Sequence, residues 1–313
     1  MKNTFRIVFM GTSAFAVSSL KALIEKGEDV VCVATQPDRP KGRGREVQQS
    51  PVKEVALARH LPLFQPQSIK DENSVQHLKQ LSPDLFIVVA FGQILSREVL
   101  SIPPHGSINI HASLLPKYRG AAPINWALIN GEEITGVTTM LLDEGMDTGP
   151  ILLQRPLDIE PEDNAPSLHD KLSLLGSELL METVGQLKRG ELKPVPQDHA
   201  KASYAPRLKK EDGLIDWKKN AQEIHNLIRG LIPWPSAYAH LEEKILKIFD
   251  SVVIEEKVKG EAGEISGVTK EGIRVITGKG SLLIRDVQLQ DRKRMKVSEF
   301  IQGHRVQTGI ILQ

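Results

Sequence analysis

The chain has 313 residues, of which 40% are hydrophobic, 25% charged and 4% aromatic; this is ordinary globular composition, and at about 100 to 200 residues per domain it predicts two domains. Cys32 is the only cysteine, which excludes an internal disulfide and any zinc site built from two or more thiolates and leads us to expect a reducing, cytoplasmic setting. The formal net charge of +1 is no signature of a nucleic-acid binder, yet residues 1–189 carry a net −3 and residues 190–313 a net +4, which makes the second part the better partner for a polyanion.

Residues 5–9 form a short β-rich run ending near Gly11. Val17, Leu20, Leu23 and Ile24 then recur at helical spacing up to Gly27, and residues 30–34 predict a second strand. The opening residues carry no small-residue cleavage site, and no apolar stretch reaches about 18 residues, so neither export nor a membrane span is expected. The strand, loop, helix, strand order starts a βαβ unit, and the apolar runs at 85–90 and 108–110 continue a parallel sheet covered on both faces. Gly11 stands without the further glycines of a dinucleotide fingerprint, so a tight turn is the better reading and the fold is Rossmann-like without the usual cofactor.

Leu168, Leu172, Leu175, Leu179, Val184 and Leu187 line one side of a helix that ends near Gly190. Residues 193–205 are rich in proline and polar residues without periodicity, as in a linker. We therefore expect a catalytic domain over 1–190, a linker over 191–206 and a second domain over 207–313. In the latter a helix over 221–231 precedes Pro233-Trp234-Pro235, and strands at 245–254, 273–276 and 281–289 are separated by glycine turns. That pattern predicts a small sandwich or barrel, and an OB-like β-barrel would suit nucleic acid.

Asn109 and His111 sit two apart at the end of a predicted strand, so they share one face, at the carboxyl edge where open α/β sheets bind ligands. The imidazole can move a proton near neutral pH, and the amide can donate to an oxygen that gains charge; a purely structural histidine fits the position about equally well. A second segment, 143–150, packs acids and glycines between strands predicted at 137–142 and 151–154. A plain turn accounts for Asp143, Gly145 and Gly149, while Asp147 could orient His111 as the carboxylate of an amide, imidazole, carboxylate group. No nucleophile elbow, P-loop or His-x-x-x-His helix occurs, and His105 and His111 are poorly spaced for a shared metal, so no metal is expected. Acyl-type transfer to an external amine remains.

Arg39, Lys41, Arg43 and Arg45 lie within seven residues of a Gly- and Pro-rich stretch that predicts an extended, mobile loop. Solvated charge and phosphate contact both fit it. Arg292, Lys293, Arg294 and Lys296 form another cluster, which a solvated face also explains, and the pair of clusters favours a shared polyanion more than either does alone.

Several motifs together resemble the methionyl-tRNA formyltransferase family: NIHASLLPKYRGAAPI (109–124), DEGMDTGPIL (143–152), TQPDRPKGRG (35–44), the opening IVFMGT and the later IPWPSA (232–237). The likeness spans nearly the whole chain. The Asn, His, Asp set and the Ser-Leu-Leu-Pro stretch recur in other 10-formyltetrahydrofolate enzymes. Formyltransferases of small amines such as sugar nucleotides, and the hydrolase domain of a folate dehydrogenase, are thus the alternatives. The resemblance implies formyl transfer from 10-formyltetrahydrofolate to methionyl initiator tRNA, with Asn109, His111 and Asp147 catalytic. Ser113, Leu114, Leu115 and Pro116 would line the tetrahydrofolate site, and Arg39, Lys41, Arg43 and Arg45 would lie on the tRNA, as would the OB-like domain. A monomer is expected. Ser13 departs from the proline that many members carry after Gly-Thr.

Overall fold

A computed structural model describes residues 4–41, 46–256 and 259–313. It divides into two units. One comprises Met1–Gly120, Ile134–Asp158 and His169–Ala205, the other Ala121–Glu133, Ile159–Leu168 and Pro206–Gln313.

In the first unit the strands Leu85–Val89 and Ser107–His111 bury every residue, and Arg6–Gly11 buries all but its first. Strands buried along their whole length need cover on both faces and so occupy the middle of a sheet. From the Ser107–His111 strand outward, the hydrogen-bonded neighbours are Leu85–Val89, Arg6–Gly11, Asp29–Ala34 and Leu63–Phe64, all parallel. The helices Val17–Glu25, Pro51–Ala58 and Glu72–Gln80 connect them. Ser50 and Asp71 cap two of these by accepting from the backbone N–H of Lys53 and Ser74, which satisfies amide donors that the first helical turn leaves unpaired.

The expected parallel sheet continues into two antiparallel strands at its other edge. Ile134–Leu141 runs antiparallel to Ser107–His111, pairing Asn109 with Met140 and His111 with Thr138, and Ile151–Asp158 runs antiparallel to it in turn. Residues 142–150 are too few for the crossover that a parallel neighbour requires, so the chain turns back as a hairpin. Its loop leaves the sheet beside Ser107, whose carbonyl accepts from the Leu142 N–H.

The stretch expected as a linker is instead built into the first unit as far as Ala205. Val195 and Ile151 exchange backbone hydrogen bonds, and Tyr204–Ala205 pairs in parallel with a two-residue strand, Arg119–Gly120. Backbone pairing of such short pieces imposes no apolar period, so the sequence offers nothing to read there.

The second unit also takes in two segments that a division at residue 190 leaves in the first. Ala122, Trp126 and Ile129 pack on its core. The helix Pro123–Ile129 lies against Ala221–Gly230 so closely that a Cβ on Gly230 would be 2.7 Å from Ile129 Cγ1. The strands Ala237–Leu241, Lys244–Ile254, Ser281–Leu289, Ile273–Ile276 and Ile265–Val268 form one antiparallel sheet in that order. The chain's last residues close it: Gln313 and His240 exchange backbone hydrogen bonds, Leu312 donates to Gly263 and Ile265 donates to Ile310. These bonds reach both Ala237–Leu241 and Ile265–Val268, the two ends of the strand order, and give the expected barrel-like domain.

Candidate active site

The strand Ser107–His111 separates two environments. Ile108 and Ile110 point to the apolar side, where Gly176 of the helix Ala165–Arg189 comes so near that a Cβ there would be 3.0 Å from Ile110 Cγ2. Asn109 and His111 point the other way, only 9% and 6% exposed. Among the described residues no hydrogen-bond partner meets the Asn109 side-chain amide.

His111 Nε2 lies 2.9 Å from the Tyr118 carbonyl oxygen. A carbonyl only accepts, so this contact requires a hydrogen on Nε2 and leaves the lone pair of the neutral ring on Nδ1. Nδ1 faces Asp147, 3.7 Å from Oδ2. A proton arriving at Nδ1 therefore meets a carboxylate in a nearly dry setting, where opposite charges attract more strongly than in water.

The hairpin loop brings Asp147 there by folding across the face that carries Asn109 and His111. Asp143 Oδ1 accepts from the Gly145 N–H at 3.0 Å and from Thr148 Oγ1 at 2.6 Å, which closes the turn. Gly149 passes against the Leu141 carbonyl, where a Cβ would overlap the oxygen. Asp147 itself takes a left-handed backbone, φ +53°, a conformation that Asp tolerates better than most residues. The Gly120 N–H donates to its Oδ2 at 2.7 Å.

Thr138, opposite His111 in the ladder, organises the residues expected to line the folate site. Its hydroxyl donates to the Ser113 carbonyl at 2.7 Å and accepts from the Leu115 N–H at 3.1 Å, while Gln154 Nε2 donates to the Leu115 carbonyl at 2.8 Å. Ser113 Oγ donates to the Lys117 carbonyl at 2.6 Å, and Leu115 is buried, preceding a cis peptide to Pro116. Leu114 and Pro116 are half-buried.

Of the basic stretch, Arg39 is exposed and donates to Gln36 Oε1 at 3.3 Å. The expected extended loop has paired flanks, because Arg39–Lys41 runs antiparallel to Glu46–Gln48. Arg43 and Arg45 lie outside the described residues. In the second unit Arg294 makes two hydrogen bonds to the buried Asp286, at 2.9 and 3.0 Å, and stacks 4.4 Å over Phe249. Lys296 also reaches Asp286, at 3.3 Å, so part of that cluster is neutralised within the barrel.

Among the described residues no group of three His, Cys, Asp or Glu side chains is arranged to hold a metal ion, and no helix is long and apolar enough to cross a membrane. Sequence reasoning missed Tyr118, which fixes the His111 tautomer, Gly120, which holds the carboxylate, and Gln197, which binds the Asp147 backbone. The glycines at 120 and 149 were the available signal, since each sits where a Cβ would strike a backbone carbonyl.

Residues 5–184 match the formyl transferase family model and residues 207–305 match the formyl transferase C-terminal domain. A methionyl-tRNA formyltransferase of Geobacter metallireducens is 53% identical over 306 residues, covering 98% of either chain. Its namesake in Citrifermentans bemidjiense is 52% identical, covering 98% of this chain and 96% of that one. Among solved structures, an N-formyltransferase from Helicobacter canadensis crystallised with folinic acid and dTDP-3-aminofucose superposes with a TM-score of 0.69 at 22% identity, over 93% of this chain and 100% of that one. HypX from Aquifex aeolicus in complex with tetrahydrofolic acid gives 0.63 at 20%, over 96% of this chain and 47% of that one; both show a common fold. Identity near one half over almost the entire length, together with both domain matches, means that this chain belongs to the methionyl-tRNA formyltransferase family.

Proposed function

We propose that the chain transfers the formyl group of 10-formyltetrahydrofolate to the α-amino group of the methionine on initiator tRNA, acting in the cytoplasm as a monomer. The donor supplies an electrophilic formyl carbon on N10. As the amine nitrogen bonds to that carbon, the formyl oxygen gains negative charge, and Asn109 donates to it from an amide that no other described residue engages. His111 takes the amine's proton at Nδ1, the position facing Asp147 at 3.7 Å. When the bond from carbon to N10 breaks, the same proton goes to the departing nitrogen, so no net charge is created. The folate ring lies along Leu114 and Pro116 and the backbone of Ser113 and Leu115. Arg39, Lys41, Arg43 and Arg45 contact tRNA phosphates, for which a guanidinium is geometrically suited.

The convergence of an unengaged amide with an imidazole whose free lone pair faces a carboxylate carries this reading, and the names of the near relatives support the acceptor. The test supplies formyl donor with methionyl initiator tRNA, uncharged tRNA, an amino sugar nucleotide or water alone. Consumption that depends on the charged tRNA is expected. Equal consumption with water would make the chain a hydrolase.

A further inference from the structure

Arg119 is among the largest fully buried side chains of the described residues, yet its guanidinium meets no carboxylate there. Nε and Nη2 donate to Gln197 Oε1 at 3.1 and 2.6 Å, and Nη1 contacts His199 Nδ1 at 3.2 Å. Gln197 is itself buried, and Nε2 donates to the carbonyls of Asp147 and Gly149 at 2.9 and 2.7 Å. Every hydrogen-bonding position of that amide is committed, and its orientation admits no alternative. The oxygen must face the guanidinium donors, because the nitrogen is the only atom that can serve two carbonyls.

The two carbonyls bracket Thr148, so the amide grips the backbone of the turn that presents the Asp147 carboxylate. The neighbouring Gly120 N–H holds the carboxylate itself. One two-residue strand, Arg119–Gly120, thus restrains Asp147 from both ends, and that strand is anchored by its parallel pairing with Tyr204–Ala205. The positive charge adds to the effect. A guanidinium pulling on Oε1 polarises the amide and strengthens its N–H donors, by roughly 10 to 30% per bond in such chains, in a setting with little water to screen it.

We infer that Gln197, backed by Arg119, is a positioning residue for the reaction: a charge-polarised amide that keeps Asp147 in its left-handed conformation with Oδ2 facing His111 Nδ1. The inference rests on the formyl-transfer reading above, in which Asp147 assists the proton on His111. A plain structural strut would leave the same contacts but would act on folding rather than through one carboxylate.

Gln197→Glu separates these cases. It preserves size and the oxygen that meets Arg119, but replaces the donor NH2 with an oxygen facing two carbonyls, which repel it. We expect kcat for formylation of methionyl initiator tRNA to fall about 10- to 100-fold, while KM for the folate donor and for tRNA stay close to wild type; the melting temperature falls as well, because two buried carbonyls lose their donor, so stability does not decide the case. The deciding measurement is the double-mutant cycle with Asp147→Asn. In the Asp147→Asn background, Gln197→Glu should change kcat by less than about twofold, because the group through which it acts is already gone.

A wild-type kcat for Gln197→Glu beside a large loss for Asp147→Asn overturns the positioning role and leaves the proposed chemistry standing. The same holds if Gln197→Glu costs as much in either background. Wild-type turnover of Asp147→Asn would instead remove the carboxylate from the proposed chemistry, and the inference with it. Should Gln197→Glu not yield soluble protein, Arg119→Lys enters the same cycle with the same expectations, since one ammonium cannot serve both Gln197 and His199 as the guanidinium fork does.

Discussion

At the scale of single residues, a backbone carbonyl places the hydrogen of His111 on Nε2 and so leaves Nδ1 as the nitrogen for the proposed proton transfer. Asn109 has the complementary task in the proposed reaction, and truncation isolates it. Asn109→Ala is expected to lower kcat about 10²- to 10³-fold, as for other lost oxyanion donors, with donor KM little changed; steady-state formylation kinetics would show it, and near-normal turnover would refute the role. Cys32, by contrast, takes no part, because burial pushes its thiol up to about 11, far from the thiolate form that reacts. Alkylation of the native protein should be negligible at neutral pH and become stoichiometric in denaturant, as mass spectrometry can verify. His225 couples stability to pH. Burial, and then the neighbouring Arg229, lower its pKa from the ordinary 6.5. The unfolded chain thus binds more protons between the native value and 6.5, so the contribution is complete above 6.5 and is lost as pH falls through the native value. Urea midpoints should therefore drop more between about pH 7.5 and 5.5 for the wild type than for His225→Gln, and an equal drop would discard the assignment.

At the scale of elements, the Ile134–Leu141 strand controls the expected folate-lining residues through Thr138 and Gly136. A Cβ at Gly136 would overlap the Arg155 carbonyl and lie 2.6 Å from Leu114 Cδ2. Gly136→Ala should cost about 1 to 3 kcal/mol by overpacking and raise KM for the folate donor more than it lowers kcat. Unchanged donor affinity would mean that Leu114 does not touch the folate. Elements with a strong apolar period were legible beforehand: the helix ending near Gly27, the long helix ending near Gly190 and the strands Ile273–Ile276 and Ser281–Leu289 all stand where periodicity places them. The pieces without a period were not. Arg119–Gly120 and Tyr204–Ala205 are two residues each, and nothing but their partner defines them.

At the scale of the whole molecule, a net charge of +1 conceals the residues proposed to meet tRNA. Arg39 is exposed and makes one long hydrogen bond, so its removal should not disturb the fold. Arg39→Ala is expected to raise KM for tRNA and to flatten its dependence on salt by about one phosphate contact, with donor KM unchanged. Equal effects on both substrates would argue against a phosphate contact. The cluster at 292–296 behaves differently, because Asp286 pairs with Arg294 and Lys296 inside the barrel domain, a neutralisation that a charge count cannot reveal.

Periodicity and turn chemistry by themselves placed the strands and helices, put Asn109 and His111 on one face of their strand, and pointed to a small sandwich or barrel in the second part, because each of these is read from spacing along a few residues of chain. Only the tertiary structure decided which nitrogen of His111 is free, how Asp147 approaches it, and that Arg119 and Gln197 grip the turn behind it. Those contacts join residues far apart in the chain, Arg119 and Gln197 being 78 positions from one another. They are made by backbone carbonyls and side-chain amides that carry no pattern until folding brings them within hydrogen-bond distance.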